Sequence, residues 1–194
     1  PKYLSGYVRQ KFNIAFEASK QDPRFAINAS QLEAVLPAPV KAIDIFVPLN
    51  ARWIPCSVQA DFIRHLSGNA QLDVVVLYID DEFKIKVKTH IPYVKSHSEW
   101  GTPRKEMISL LNSVFNNRKI EVCDPAPYNH KTLIVNTEET LAAQNKVDAI
   151  KYEWEQWILD NADRREFVET LYNEAFNGFV PPKYDGSLLP LNGC

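Results

Sequence analysis

The sequence predicts an α+β fold: a small, mostly antiparallel sheet with helices on one face, followed by a C-terminal helical pair. Three observations lead to it. Residues 72–91 gather β-branched residues on both sides of Asp80-Asp81-Glu82, the pattern of a hairpin with a tight acidic turn. The segments before and after it repeat apolar residues at helical spacing. From Asn136 to Gly178 the chain is acidic and helical in period.

The elements follow in order. A helix is expected from about Ser5 to Lys20, with Val8, Phe12, Ala15, Phe16 and Ser19 on one face and Asp22-Pro23 as its stop. A short second helix starts near Asn28, with Ser30 and Glu33 at capping-box spacing, and ends at Pro37. Residues 42–49 (AIDIFVPL) read as a strand. Residues 54–68 read as a helix entered through Pro55 and closed by Gly68.

In the hairpin the first run is almost wholly apolar, as in a central strand. The second alternates, with Phe83, Ile85 and Val87 inward and Lys84, Lys86 and Lys88 outward. Residues 102–117 form another helix with Pro103 in its first turn. Residues 119–124 are a short strand, 125–131 a loop, and 132–136 strand-like. A long helix then begins at Asn136, where Glu139 supplies the capping partner, and carries Leu141, Val147, Ile150, Trp154, Trp157 and Ile158 as its apolar stripe. A second helix follows, with Phe167, Leu171, Ala175 and Phe176 inward. These elements divide into an α+β domain over 1–135, an acidic helical pair over 136–178, and a linker over 179–194.

Composition is that of an ordinary globular chain of 194 residues, 45% hydrophobic and 24% charged. Cys56, Cys123 and Cys194 are too few and too widely spaced for a disulfide framework or a zinc knuckle, which fits a reducing, cytoplasmic setting. No apolar run reaches the length of a membrane span, so no membrane partner is expected. The net charge of −2 hides an asymmetry: residues 1–120 hold 16 Lys+Arg against 11 Asp+Glu, and residues 121–194 hold 6 against 13. Two surfaces with different partners, or two subdomains, are expected from such a split. The chain begins at Pro1 and ends on an apolar loop, Phe179 to Cys194, so it is expected to belong to a longer polypeptide.

Several constellations imitate known chemistry. The run from Val74 to Glu82 resembles an apolar strand ending in magnesium-holding acids, but none of the six glycines is followed by Lys, so the phosphate-cradling loop is missing. Asp73 with Glu82-Phe83-Lys84 imitates the acid set of metal-dependent nucleases, yet a hairpin would put the two acids at opposite ends. Asp124 to Tyr128 (DPAPY) is one residue longer than the Asp-Pro-Pro-Tyr of amino-methyltransferases. His65, His90, His97 and His130 lack ligand spacing, His65 reading as a structural histidine, and no serine stands in a nucleophile elbow. Catalytic and metal-ligating residues are therefore assigned to none of these. One binding feature remains. Lys84, Lys86 and Lys88 on one strand face, followed by Lys95, Arg104 and Lys105, form a ribbon able to neutralise phosphates, with Tyr93, His97 and Trp100 close enough in sequence to stack on bases. The same lysines equally suit a solvated sheet face that guards an edge.

An ordered series of motifs adds a resemblance. Asn136-Thr137-Glu138-Glu139-Thr140, Ala143-Gln144-Asn145, Trp154 with Trp157, Tyr172 to Asn177, and Tyr184-Asp185-Gly186-Ser187 run in the order of one internal segment of large phage and conjugative-element proteins. Those proteins carry an adenine-methyltransferase-like region and a Swi/Snf-type DNA helicase of superfamily two. The opening YLSGYVRQKF, then ARWIP and EWGTPRKE, resemble further stations, so the similarity spans nearly the whole chain. The resemblance implies a segment between the methyltransferase-like region and the helicase core, inside bacteria. ATP and magnesium belong to that core and no cofactor to this segment. The expected function is a non-catalytic accessory domain that contacts DNA or orients the motor; its partners are DNA and the helicase and methyltransferase-like regions of the same polypeptide. The alternatives are a protein-interaction or structural spacer without DNA contact and, more remotely, a metal-dependent nuclease.

Overall fold

The computed structural model describes residues 3–182, and the expected linker lies outside them from residue 183 onward, as does the Tyr184-Asp185-Gly186-Ser187 motif. The protein is α+β, with six α-helices and three two-stranded antiparallel ladders among the described residues. Contacts divide the chain into two compact units, Pro1–Ile45 with Glu166–Cys194, and Phe46–Arg165.

In the first unit, Gly6–Tyr7 (β1) pairs with Phe179–Val180 (β6), so helix α1 starts at Val8 rather than Ser5 and runs to Gln21. Asp22 ends it as expected and accepts from the backbone N–H of Arg24, capping a 3-10 turn over Pro23–Phe25. Helix α2 spans Ala26–Glu33. The anticipated capping box is not used: the helix begins before Ser30, whose hydroxyl donates to the Ile27 carbonyl. Val8, Ala15, Ala29 and Leu32 form the core here, with Phe12 against it. Phe16, expected inward, is exposed.

The expected strand over 42–49 is absent. Ala42–Asp44 is a 3-10 turn, and side chains take the backbone groups a neighbouring strand would have used. In the first unit, Asn173 accepts from Val40 N–H (2.8 Å) and donates to the Val40 carbonyl (2.9 Å), while Glu169 accepts from Ala42 N–H (2.9 Å). In the second unit, Trp154 Nε1 donates to the Val47 carbonyl (2.8 Å) and Gln59 to that of Leu49 (2.9 Å). Such buried groups are costly if left unpaired, by about 1–3 kcal/mol each.

The second unit opens with α3, Cys56–Ser67, which follows Pro55 and ends at Gly68 in the left-handed conformation (φ 67°). Its face of Phe62, Ile63 and Leu66 is buried. Phe62 meets Trp154 edge-on at 5.0 Å and Trp157 at 5.5 Å. His65 rests beside these rings with Nε2 2.7 Å from Glu153, the structural role anticipated for it.

Val74–Ile79 (β2) and Glu82–Val87 (β3) form the expected hairpin. Asp80 and Asp81 take positive φ (55° and 60°), which makes the two-residue turn a mirror-type one matching the strand twist. β2 is not a central strand: β3 is its only partner among the described residues, and Arg64 donates to the Leu72 and Val74 carbonyls along its outer side.

A π-helix at Val94–Glu99 follows, and α4 starts only at Met107, running to Phe115. Thr102 to Lys105 close a separate turn, so Pro103 lies outside the helix. Cys123–Ala126 (β4) pairs with Asn129–Val135 (β5), taking in much of the expected loop; a bulge at Pro125/Ala126 accommodates the proline.

Helix α5 covers Thr137–Asp160, capped by the Asn136 side chain on Glu139 N–H (3.0 Å). Its buried row is Thr140, Ala143, Val147, Ile150, Trp154, Trp157 and Ile158. Leu141 is off that row and exposed, because the 3-4 spacing runs through the smaller Thr140 and Ala143. Leu110, Val122, Ala143 and Val147 make a second core cluster. Helix α6, Ala162–Ala175, completes the helical pair; it buries Val168 and Asn173 and leaves the expected Phe167, Ala175 and Phe176 exposed.

Candidate nucleic-acid interface

The hairpin register sorts its side chains into two faces. Val74, Val76, Tyr78, Phe83, Ile85 and Val87 share the inner face; Val75, Leu77, Ile79, Glu82, Lys84 and Lys86 share the outer one. Phe83 is 5.5 Å from Phe115 of α4 and 4.8 Å from Tyr78, which anchors the strand and aims the lysines away from the core. At the turn, Tyr78 donates to Asp81 (2.9 Å) and Arg52 lies 4.9 Å over the Tyr78 ring. Partial burial, then the bond to Asp81, hold the Tyr78 phenol above its ordinary pKa.

The six expected cations do not form one uninterrupted strip. Lys84 lies 3.8 Å from Asp80, Lys88 3.3 Å from Asp73, and Lys95 2.7 Å from Glu99. Lys86 and Lys105 have no carboxylate within ion-pair reach among the described residues. Arg104 is held twice: it pairs with Asp124 and donates to the Cys123 carbonyl (2.9 Å). Asp124 also accepts from Asn136 (2.7 Å), so one carboxylate joins the loop after the π-helix, β4 and the cap of α5. The Asn136 bond, then the Arg104 bond, hold the Asp124 carboxyl below the usual aspartate range. Arg104 is thus committed to the fold, whereas the exposed pairs of Lys84 and Lys88 are weak enough for a phosphate to replace.

The nuclease-like acids are separated by the same register. Asp73 precedes β2 and faces Lys88; Glu82 begins β3 at the other end and pairs with Arg118 (2.8 Å). Among the described residues, no group of three or more His, Cys, Asp or Glu could hold a metal ion. No helix among them is long and apolar enough to cross a membrane.

Beside the lysine strand, the π-helix builds a pocket. Tyr93, just ahead of that helix, stacks on His97 with ring centroids 4.3 Å and planes 9° apart. Gly101 is required there: a Cβ on it would lie 2.1 Å from the Ser96 carbonyl oxygen. The pocket, about 500 Å³, lies between Ile85, Val87, Tyr93, His97, Glu106 and Ile108, with Lys88 at its rim. Nδ1 of His97 and Nε1 of Trp100 are buried without a hydrogen-bond partner among the described residues. Glu106, the residue just ahead of α4, was not singled out by the sequence; nothing local in it signals a pocket wall.

The fold and site therefore define an α+β protein with a lysine-faced hairpin set beside an aromatic pocket. The chain belongs to the family described as "Domain of unknown function (DUF8437)", whose model matches residues 48–178. No curated protein and no solved structure matches the chain.

Proposed function

We propose that this chain is a non-catalytic accessory domain of a large ATP-dependent DNA helicase of the methylase-like type, and that it contacts DNA through the outer face of β3. The carrying observation is the alignment of Lys84 and Lys86 on one solvent-facing face of β3, with Lys88 exposed just past its end and Phe83 anchoring the strand from behind. The motif series from Asn136 to Asn177 supports the larger context, in which ATP and magnesium serve the helicase core. Phosphate contacts of this kind position a duplex without reading its sequence.

The test is duplex DNA binding by the chain across a salt series. Changing Lys84, Lys86 and Lys88 together to Glu should abolish binding at moderate salt; neutral replacements should flatten the slope of log K against log salt by about 2.7, or about 0.9 per phosphate contact. Failure to bind at low salt, with unchanged DNA affinity of the larger protein carrying the triple change, overturns the DNA-contact reading.

One observation favours the second reading, an interaction or spacer domain. Tyr7 and Phe179 meet edge-on at 5.5 Å on the β1–β6 ladder while both remain exposed. Such paired aromatics suit a protein partner. Changing both to Ser should release the remainder of the polypeptide in a co-purification experiment if that reading holds.

A further inference from the structure

The pocket behind β3 has a chemistry the lysines do not explain. Phe83 turns its N–H and C=O away from β2, where Asn116 binds both. By the alternation of an antiparallel ladder, Ile85 and Val87 turn theirs to the same outer side, toward the pocket these two residues line. Its aliphatic wall is Ile85, Val87 and Ile108. Tyr93, 59% exposed, stacks on the His97 ring. Glu106 supplies an exposed carboxylate with no hydrogen-bond partner among the described residues, and Lys88 stands at the rim. A slot that combines a stacked aromatic, aliphatic side chains, outward-facing backbone groups and polar side chains, Glu106 among them, matches a planar heterocycle that bears N–H donors. Lys88, which also lines the pocket, matches a phosphate beside such a ring.

We propose that this pocket receives one unstacked nucleobase of single-stranded or locally opened DNA. The base stacks on Tyr93 with its amino edge toward Glu106, and a flanking phosphate meets Lys88. The proposal rests on the DNA-contact reading and adds to it a preference for a base over bare backbone. An amino-bearing base such as cytosine is favoured over thymine, because the carboxylate accepts from the exocyclic amino group.

Fluorescence anisotropy on the full chain tests it with three oligomers of equal charge and about twelve units: oligodeoxycytidine, oligothymidine and an abasic strand. The expected result is cytidine binding about tenfold tighter than abasic, a gap lost in Tyr93→Ala and kept in Tyr93→Phe. Glu106→Gln should narrow the gap between cytidine and thymidine. Circular dichroism of Tyr93→Ala should match the parent, since the ring is mostly exposed. Equal, salt-sensitive binding of cytidine and abasic strands, or a gap unchanged in Tyr93→Ala, overturns the base pocket and leaves the phosphate-contact reading standing. Absence of binding by all three strands and by duplex at low salt overturns both.

Discussion

The side-chain amide of Asn116 closes on the backbone of Phe83 from both sides, accepting from its N–H at 2.8 Å and donating to its carbonyl at 2.9 Å. The amide nitrogen also reaches the Asn112 carbonyl at 3.0 Å, which fixes its rotamer at the end of α4. One residue of a helix end thus stands in for a third strand at the edge of the hairpin, at the position that sets the phase of the lysine face.

Asn116→Leu should therefore cost stability by leaving both Phe83 groups unpaired, about 1–3 kcal/mol in urea unfolding. Asn116→Asp is the sharper variant: it keeps the acceptor for Phe83 N–H but sets a carboxylate against the Phe83 carbonyl. It should be at least as destabilised as Leu at neutral pH. A loss smaller than about 0.5 kcal/mol in both would show that water replaces the clip without cost.

Gly101→Ala places a methyl group 2.1 Å from the Ser96 carbonyl oxygen and 2.8 Å from that of Lys105. Backbone on both sides has to move, so a destabilisation of about 1–3 kcal/mol or more is expected. The π-helix should loosen first. Amide exchange over residues 94–100 should accelerate more than exchange in α5; equal acceleration everywhere would contradict a local origin.

Asp124 carries a pH prediction. Its folded pKa is depressed below the ordinary aspartate value of about 3.9, so the unfolded chain binds its proton more readily. The contribution is present above that ordinary value and is lost as pH falls through the lower folded pKa. Asp124→Asn should reduce stability at neutral pH and flatten the stability curve below about pH 4. An unchanged acid limb would show that the carboxylate is uncoupled from folding.

Trp154→Phe keeps an aromatic ring against Phe62 but removes the donor to the Val47 carbonyl. About 1–3 kcal/mol should be lost from the orphaned carbonyl, and Trp154→Ala should cost about 3–5 kcal/mol through the cavity left behind. If the Phe variant is as damaging as the Ala variant, the hydrogen bond rather than the packing dominates this site.

The candidate site was only partly legible in the chain. The alternation of Phe83, Ile85 and Val87 with Lys84, Lys86 and Lys88 revealed the strand faces, because side-chain direction in a strand depends on parity alone. Arg104 looked equivalent to those lysines, yet Asp124, twenty residues away, engages it. Glu106 joins Tyr93 and His97 in one pocket only through the path of the π-helix and the Thr102–Lys105 turn. No local pattern encodes a partner at that separation.

By itself the sequence determined the α+β class, the Asn136 cap and Trp-bearing row of α5, the Gly68 stop of α3, and the hairpin around Asp80 and Asp81. Each rests on periodicity or on chemistry between near neighbours. Tertiary structure alone decided that β-structure would split into three ladders among the described residues, that residues 42–49 would not become a strand, and that α6 would turn Asn173 rather than Phe176 inward. The physical reason is common to all three. Backbone hydrogen-bonding groups must be satisfied, and here their partners are polar side chains far along the chain, Asn173 for Val40 and Asn116 for Phe83, which hydrophobic patterning does not register.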